Sequence, residues 1–440
     1  MKEKISKFLN VLKKDGIVRT LHKTYKYCMA NYINKINFIR KIQFKMQKKK
    51  LLIRIQEMLE KTNYDRIIVW RGSFGWNVPL YQRPQHIAKC LSNMSCLVLY
   101  EVTRMTDKTK FIDKFKDNLY LINYEIKGFE ELLWEELKKV KKPKYLQIYS
   151  TCWDVSDSIL DKYVNNDFML LYEYIDDLNP LLAGTKDLPE NVKKIHNYVC
   201  ENIENSLVVT SADKLYDDII SKRKKNKNVI LSTNGVEYEH FANRNGSKTK
   251  NTQYKKIIEE GKPIIGYYGA LASWFDYELV KYIAENNSDI NVVLIGIKYD
   301  NSFDDSNIEQ IPNIHYLGQV DYKELPDYAK FFDICTIPFK INEITLATNP
   351  IKVFEYMAME KPIITTNMPE CKKYKSVFVA KSKEDFENHI KNVIKFDKEK
   401  NQEYFEILRR EALENTWESK TASIINLLKK AEGKKFEDLY

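Results

Sequence analysis

Two series of short, continuously apolar runs govern what this chain can fold into. The first comprises RIIVW (66–70), CLVLY (96–100), LYLINY (119–124), YLQIY (145–149), FMLLYEY (168–174), LVVTS (207–211) and VILST (229–233). The second comprises PIIGYYG (263–269), INVVLIG (290–296), IHYLG (314–318), ICTIP (334–338), PIITT (362–366) and SVFVA (376–380). Helical patterns lie between most of them, as at 81–93, 212–221, 277–285, 323–331, 351–359 and 383–394. A strand that is apolar at every position is buried on both faces, which calls for parallel sheets covered by helices on either side. At 440 residues the chain also exceeds what one core usually holds. The polar stretch EHFANRNGSKTKNTQYKK (239–256) divides the two series and reads as a linker. We therefore expect two doubly wound α/β domains, 63–245 and 246–400, facing a cleft, with a helical stretch 401–440 crossing back toward the first. Ligands in such sheets sit beyond the C-terminal ends of the strands.

The formal net charge of +10 is not spread evenly. Residues 1–60 hold 13 Lys and 3 Arg against 1 Asp and 3 Glu, a net +12, so the remaining chain is slightly acidic. Residues 1–62 form a basic helical extension. In it Ile5, Phe8, Leu9 and Leu12 recur at helical spacing, Gly16 is placed to end that helix, and INFIRKIQFKMQKKKLLIRIQ (36–56) is apolar and basic at once. Helices of this kind lie on anionic lipid, each basic residue adding about 1 kcal/mol near the surface. A hairpin packed on the main body with a solvated basic face, or a nucleic-acid arm, fits the same composition. We expect contact with an anionic membrane surface through residues 1–60 and no nucleic-acid partner. No apolar run reaches the ~18 residues of a spanning helix, and Lys2, Glu3 and Lys4 are followed by no signal-like apolar region. The expected location is cytoplasmic, peripheral to the inner face of the cytoplasmic membrane. Seven cysteines without a CxxC pair point to reduced thiols, and six histidines without an HxxxH pair speak against zinc. No cofactor or bound metal is expected.

Chemistry is sought in the loops that follow strands. RGSFGWNVPLYQRPQH (71–86) carries Gly75 in a turn, with Arg83 and His86 one helical turn apart. In GYYGALASWFDYELV (266–280), Gly269 directly follows a strand, where a missing Cβ lets a phosphate approach backbone N–H groups. In TNPIKVFEYMAMEKPIITT (348–366), Thr348 or Asn349 can cap a helix with Pro350 in its first turn. The free N–H groups there attract an anion, Lys352 adds charge, and Glu355 can accept two ribose hydroxyls. A plain Lys352–Glu355 surface pair accounts for the same spacing. In YEYIDDL (172–178) the adjacent acids read as a solvated loop, a base or a metal site. Asp176 and His86 are the candidates for contacting an acceptor hydroxyl.

Taken together, these segments resemble the donor-binding domain of GT-B glycosyltransferases, in particular bacterial family-4-like (glycosyltransferase group 1) enzymes of surface-polysaccharide biosynthesis. The resemblance rests on Pro350, Lys352, Glu355, Ala358, Lys361 and Pro362, with QRPQH, STNGVEYEHF (232–241) and the Gly269 loop, and covers about residues 65–430. It implies two Rossmann-like domains, the first for a glycan or lipid-linked acceptor and the second for a nucleotide-diphosphate sugar. It implies that Glu355 binds ribose, that Thr348, Asn349, Pro350 and Lys352 hold the diphosphate, and that Gly269 admits the phosphates from the opposite side. Lys352 would neutralise the leaving group, helped by Arg83, with Gly75, Arg83 and His86 on the acceptor or phosphate side. The expected reaction is metal-independent glycosyl transfer with retention. Two positions depart from the pattern: Ala347 stands where a second glutamate is usual, and Ala270 and Trp274 stand where Arg and Lys are common. A nucleotide-sugar 2-epimerase on the same fold, or a non-catalytic scaffold binding glycan or nucleic acid, is the alternative.

Overall fold

The computed structural model describes residues 38–60, 63–72, 74–78, 81–102, 107–152, 155–180, 187–242 and 251–437. The expected helix through Ile5, Phe8, Leu9 and Leu12 lies outside them. The first sheet contains β1 (Arg66–Trp70), β2 (Cys96–Glu101), β3 (Ile112–Lys116), β4 (Leu119–Ile122), β5 (Lys144–Tyr149), β6 (Phe168–Tyr174), β7 (Ser206–Thr210) and β8 (Val229–Leu231). Their order is β3-β4-β2-β1-β5-β6-β7-β8. Strand β1 lies parallel to both β2 and β5, so the order reverses between β1 and β5 and opens a crevice at their C-terminal ends. The antiparallel edge strand β3 is absent from the apolar runs because its sequence, IDKFK, exposes Asp113, Lys114 and Phe115. Charge on an edge strand blunts pairing with other chains.

The second sheet is parallel throughout. It contains β9 (Ile264–Tyr268), β10 (Asn291–Ile295), β11 (Ile314–Tyr316), β12 (Ile334–Ile337), β13 (Ile363–Thr365) and β14 (Val377–Val379), ordered β11-β10-β9-β12-β13-β14. Its reversal falls between β9 and β12. Each sheet carries its own apolar core.

The chain leaves the first domain earlier than the expected boundary at 245/246. Val236 and Phe241 already belong to the second core, joined by Tyr254 and Ile257 of the helix Thr252–Glu259. The helices Tyr238–Ala242 and Thr252–Glu259 read as polar because each turns only a few apolar residues inward. The C-terminal stretch is two helices, divided at Asn415. Gln402–Glu414 packs Phe405, Leu408 and Ala412 on the second domain, whereas Trp417–Glu437 buries Trp417, Ile424 and Leu428 in the first. An Arg66–Glu432 ion pair at 2.8 Å fastens the latter helix beneath β1. The two crossings between domains touch: Val236 N–H donates to the Asn415 carbonyl (3.0 Å) and Trp417 N–H to the Val236 carbonyl (3.1 Å).

From the basic extension, a helix over 38–60 inserts Leu51, Ile55 and Met58 into the first core. No described helix is long and apolar enough to cross a membrane.

Candidate functional site

A cleft of ≈ 690 Å³ separates the C-terminal edges of the two sheets. Gln82, Arg83, Thr151 and Asp176 line it from the first domain, and Tyr268, Gly269, Gly296, Thr348, Pro350, Lys352 and Glu355 from the second.

On the second domain, the helix Ile351–Ala358 starts at Pro350, which occupies the N-cap itself, and no side chain caps it. The two expected caps are engaged elsewhere. Thr348 Oγ1 donates to the Ile344 carbonyl (2.8 Å), and Asn349 Nδ2 donates to Glu370 Oε2 (3.0 Å) while its Oδ1 accepts from Asn234 N–H (3.0 Å). Asn349 is thus a bridge between domains. The helix N-terminus is left open to the cleft, with the partial positive charge that attracts an anion.

Lys352 folds along the cleft wall over Gly269. A Cβ on Gly269 would fall 2.1 Å from Lys352 Cε, and its φ of +142° suits only glycine. Gly296, after β10, plays the reciprocal part, since a Cβ there would lie 1.8 Å from the Gly269 carbonyl oxygen. Gly296 is absent from the sequence-based candidates, although its place directly after a strand is the same signal that marks Gly269. Lys352 Nζ sits 5.6 Å from the Tyr267 ring centre and makes no hydrogen bond among the described residues. Burial lowers its pKa, opposed by Glu355.

Glu355 lies one turn further on and is 6% exposed. Burial raises its pKa from 4.5 to about 7, with Lys352 and a hydrogen bond from Tyr268 pulling the other way. That bond, Tyr268 Oη to Glu355 Oε2 at 2.9 Å, fixes the carboxylate. Tyr268 is also missing from the sequence-based candidates, because an aromatic in an apolar run gives no sign of which group its hydroxyl meets.

On the first domain, Arg83 is buried with its Nε donating to Glu173 Oε2 at 2.6 Å and its Nη1 to the Thr233 carbonyl at 3.0 Å. Glu173 balances its charge there, while the Arg83 Nη2 has no hydrogen-bond partner among the described residues and Arg83 remains part of the cleft wall. Asp176 faces the cleft without a hydrogen bond among the described residues, and burial beside Asp177 raises its pKa from 3.8 to about 6. Asp177 instead accepts from Lys214 at 2.8 Å.

His86 lies behind the cleft wall rather than on it, packed against Tyr81 and Tyr322, which line the cleft. It is 3% exposed, stacks on Trp417 with ring centres 4.8 Å apart, and meets Tyr81 edge-on at 4.7 Å. Burial, with Lys89 and His240 nearby, holds its pKa well below the ordinary value. Gly75 likewise serves the turn rather than the cleft. At φ +65°, its carbonyl accepts from Tyr100 Oη (3.0 Å) and Gln85 Nε2 (3.2 Å).

A family model described as glycosyl transferases group 1 matches residues 262–395, the segment that carries Gly269, Gly296, Lys352 and Glu355. TuaH of Bacillus subtilis (strain 168), named for a glycosyltransferase role in teichuronic acid biosynthesis, is 28% identical over 177 residues. That match spans 39% of this chain and 43% of TuaH. Among solved structures, HepE of Anabaena in complex with UDP and glucose superposes with a TM-score of 0.60 at 12% identity, covering 83% of this chain and 100% of HepE. A glycosyltransferase from Rickettsia africae gives 0.60 at 15% identity, covering 84% and 99%. The chain has the GT-B fold, and within it residues 262–395 match the glycosyl transferases group 1 family model.

Proposed function

We propose that the protein is a glycosyltransferase that moves a sugar from a nucleotide-diphosphate sugar to a glycan or lipid-linked acceptor in cell-surface polysaccharide biosynthesis. One observation carries the reading: an uncapped helix N-terminus and, one turn on, the buried carboxylate of Glu355 open into the same cleft as the Gly269–Gly296 pair. Backbone N–H groups and Lys352 suit a diphosphate, and the carboxylate suits the two hydroxyls of a ribose. The matched family segment and the UDP and glucose bound by HepE support a nucleotide-sugar donor, and the name of TuaH supports a polysaccharide product.

In this scheme Lys352 and the helix terminus stabilise charge growing on the leaving diphosphate. Asp176 stands across the cleft, where an acceptor hydroxyl is oriented. With Arg83 neutralised by Glu173 and Ala270 and Trp274 beside the glycine, Lys352 bears most of the cationic work. We further infer that transfer proceeds with retention at the anomeric carbon and without a bound metal. NMR of the first-formed product gives the configuration. Inversion would make Asp176 the general base, and loss of turnover on chelation would reject metal independence.

The decisive experiment is calorimetric titration of UDP, GDP and their sugars into wild type and Glu355→Ala. Micromolar binding of one nucleotide series, lost in the variant, is the expected result. Absence of binding by folded wild type would favour a scaffold. The location we propose is the cytoplasmic face of the membrane, supported by the basic character of residues 1–60.

A further inference from the structure

The helix over 38–60 is apolar on two opposite faces, and among the described residues only one of them is packed against the rest of the protein. Phe44, Leu51, Ile55 and Met58 follow one another at spacings of seven, four and three, and pack on the first domain. Ile39, Ile42, Met46 and Ile53 repeat at three, four and seven on the other side, with Phe38 beside them. These five are 47%, 45%, 81%, 50% and 65% exposed respectively, and they make up half of the large hydrophobic side chains exposed on the described residues. Solvated single apolar residues are ordinary, but five in one helical stripe are not.

Lys41, Lys45, Lys48, Lys49, Lys50 and Arg54 surround this stripe, all exposed. None of the six makes an ion pair among the described residues. An apolar stripe bordered by unpaired cations is complementary to a surface that is apolar within and anionic at its rim. Residues 1–37 are themselves basic, so like charge opposes their lying on this stripe. The same holds for a second copy of the helix.

We propose that the stripe Phe38–Ile39–Ile42–Met46–Ile53 is the membrane-docking face, inserted in plane among anionic headgroups. This deepens, and rests on, the peripheral location proposed above by naming the surface that makes the contact. The helix also fixes where the cleft lies relative to lipid. Arg40 pairs with Glu125 at 3.5 Å, and the Phe44 ring fills the space above Gly128, both beyond the C-terminal end of β4. Gln56 reaches Glu136 at 3.2 Å near the opposite end. The described part of the helix therefore runs from the cleft-facing edge of the first sheet down its flank. Because its inner face is welded to that domain, docking holds the acceptor side of the cleft beside the bilayer, where a lipid-linked acceptor is presented.

Flotation of the full chain with phosphatidylcholine vesicles, with and without phosphatidylglycerol, tests this. Wild type should float only with phosphatidylglycerol and should be released by salt. The double variant Ile42→Ser/Met46→Ser keeps every charge and removes only exposed groups, so its melting temperature should match wild type while its partition falls about tenfold or more. Undiminished flotation of the double variant would overturn the docking face while leaving peripheral location intact. Failure of wild type to float would overturn both. A lowered melting temperature, or a dimer dissociated by the substitutions, would show that residues 1–37 or a second copy covers the stripe instead. None of these outcomes depends on nucleotide binding, so the glycosyl-transfer reading is judged separately.

Discussion

At the scale of single residues, Glu355 has the environment with the clearest chemical consequence. Burial raises its carboxyl from 4.5 to about 7, against the pull of Lys352 and the Tyr268 hydroxyl. The folded chain then binds more protons than the unfolded chain between those two values. This group's contribution to stability therefore falls as pH rises through that window. Donor affinity should move the opposite way, since accepting two ribose hydroxyls requires the carboxylate. Titration of the preferred nucleotide across pH 7 should show binding strengthening with pH, by at most about tenfold per unit. At alkaline pH the gain should reverse as Lys352, its own pKa lowered by burial, gives up its proton. Glu355→Gln should abolish the rise and keep the alkaline decline. A rise that survives in Glu355→Gln would assign it to another group. The same position shows how far sequence reaches. Lys352 and Glu355 were legible because helical spacing places them on one face of a capped-looking helix. Their opening into the cleft, their partners and the burial of His86 behind the cleft wall were not, because these depend on which loop from the other domain lies opposite.

Among the elements, the two sheets could be read from sequence because continuous apolar runs have few other uses, while the seam between domains could not. That seam is built from Val236 and Asn415–Trp417, whose side chains follow no period and whose bonds are made by backbone. Gly235 sits where the two crossing segments of this seam touch. A Cβ there would come within 2.8 Å of the Asn415 carbonyl oxygen and 3.0 Å of the Trp417 nitrogen, both backbone atoms that have no rotamer to escape into. Gly235→Ala should therefore destabilise by about 1–3 kcal/mol, the usual cost of overpacking, read as a lower melting temperature. Gly261→Ala is not an equivalent control, as its φ of +68° imposes backbone strain. Gly433, where an added methyl group would meet nothing within 4 Å, is the appropriate one. An unchanged melting temperature in Gly235→Ala would mean that the crossing gives way easily.

Across the whole molecule, catalysis of the proposed kind needs the domains to close on substrate and part for release, so contacts bridging the cleft should be modest. Tyr81 stacks on Tyr322 across it with ring centres 5.1 Å apart, and polar contacts stand beside this pair. Asn234 Nδ2 donates to the Asn349 carbonyl at 2.6 Å, Asp213 N–H donates to Glu370 Oε1 at 2.9 Å, and Lys373 pairs with Asp213 at 2.9 Å. Asn349 is the meeting point, because its side chain accepts from Asn234 and donates to Glu370. The sequence resemblance instead implies a phosphate ligand at this position, and the two roles lead to different behaviour. As a bridge, Asn349→Ala leaves buried Glu370 short of a donor and costs about 1–3 kcal/mol, widens the mean domain separation seen by small-angle scattering, and weakens nucleotide binding by less than about tenfold. As a ligand, it loses binding about as completely as Glu355→Ala while the scattering profile of the free protein stays unchanged. We expect the first pattern, because the Asn349 amide already has partners on both sides of the cleft.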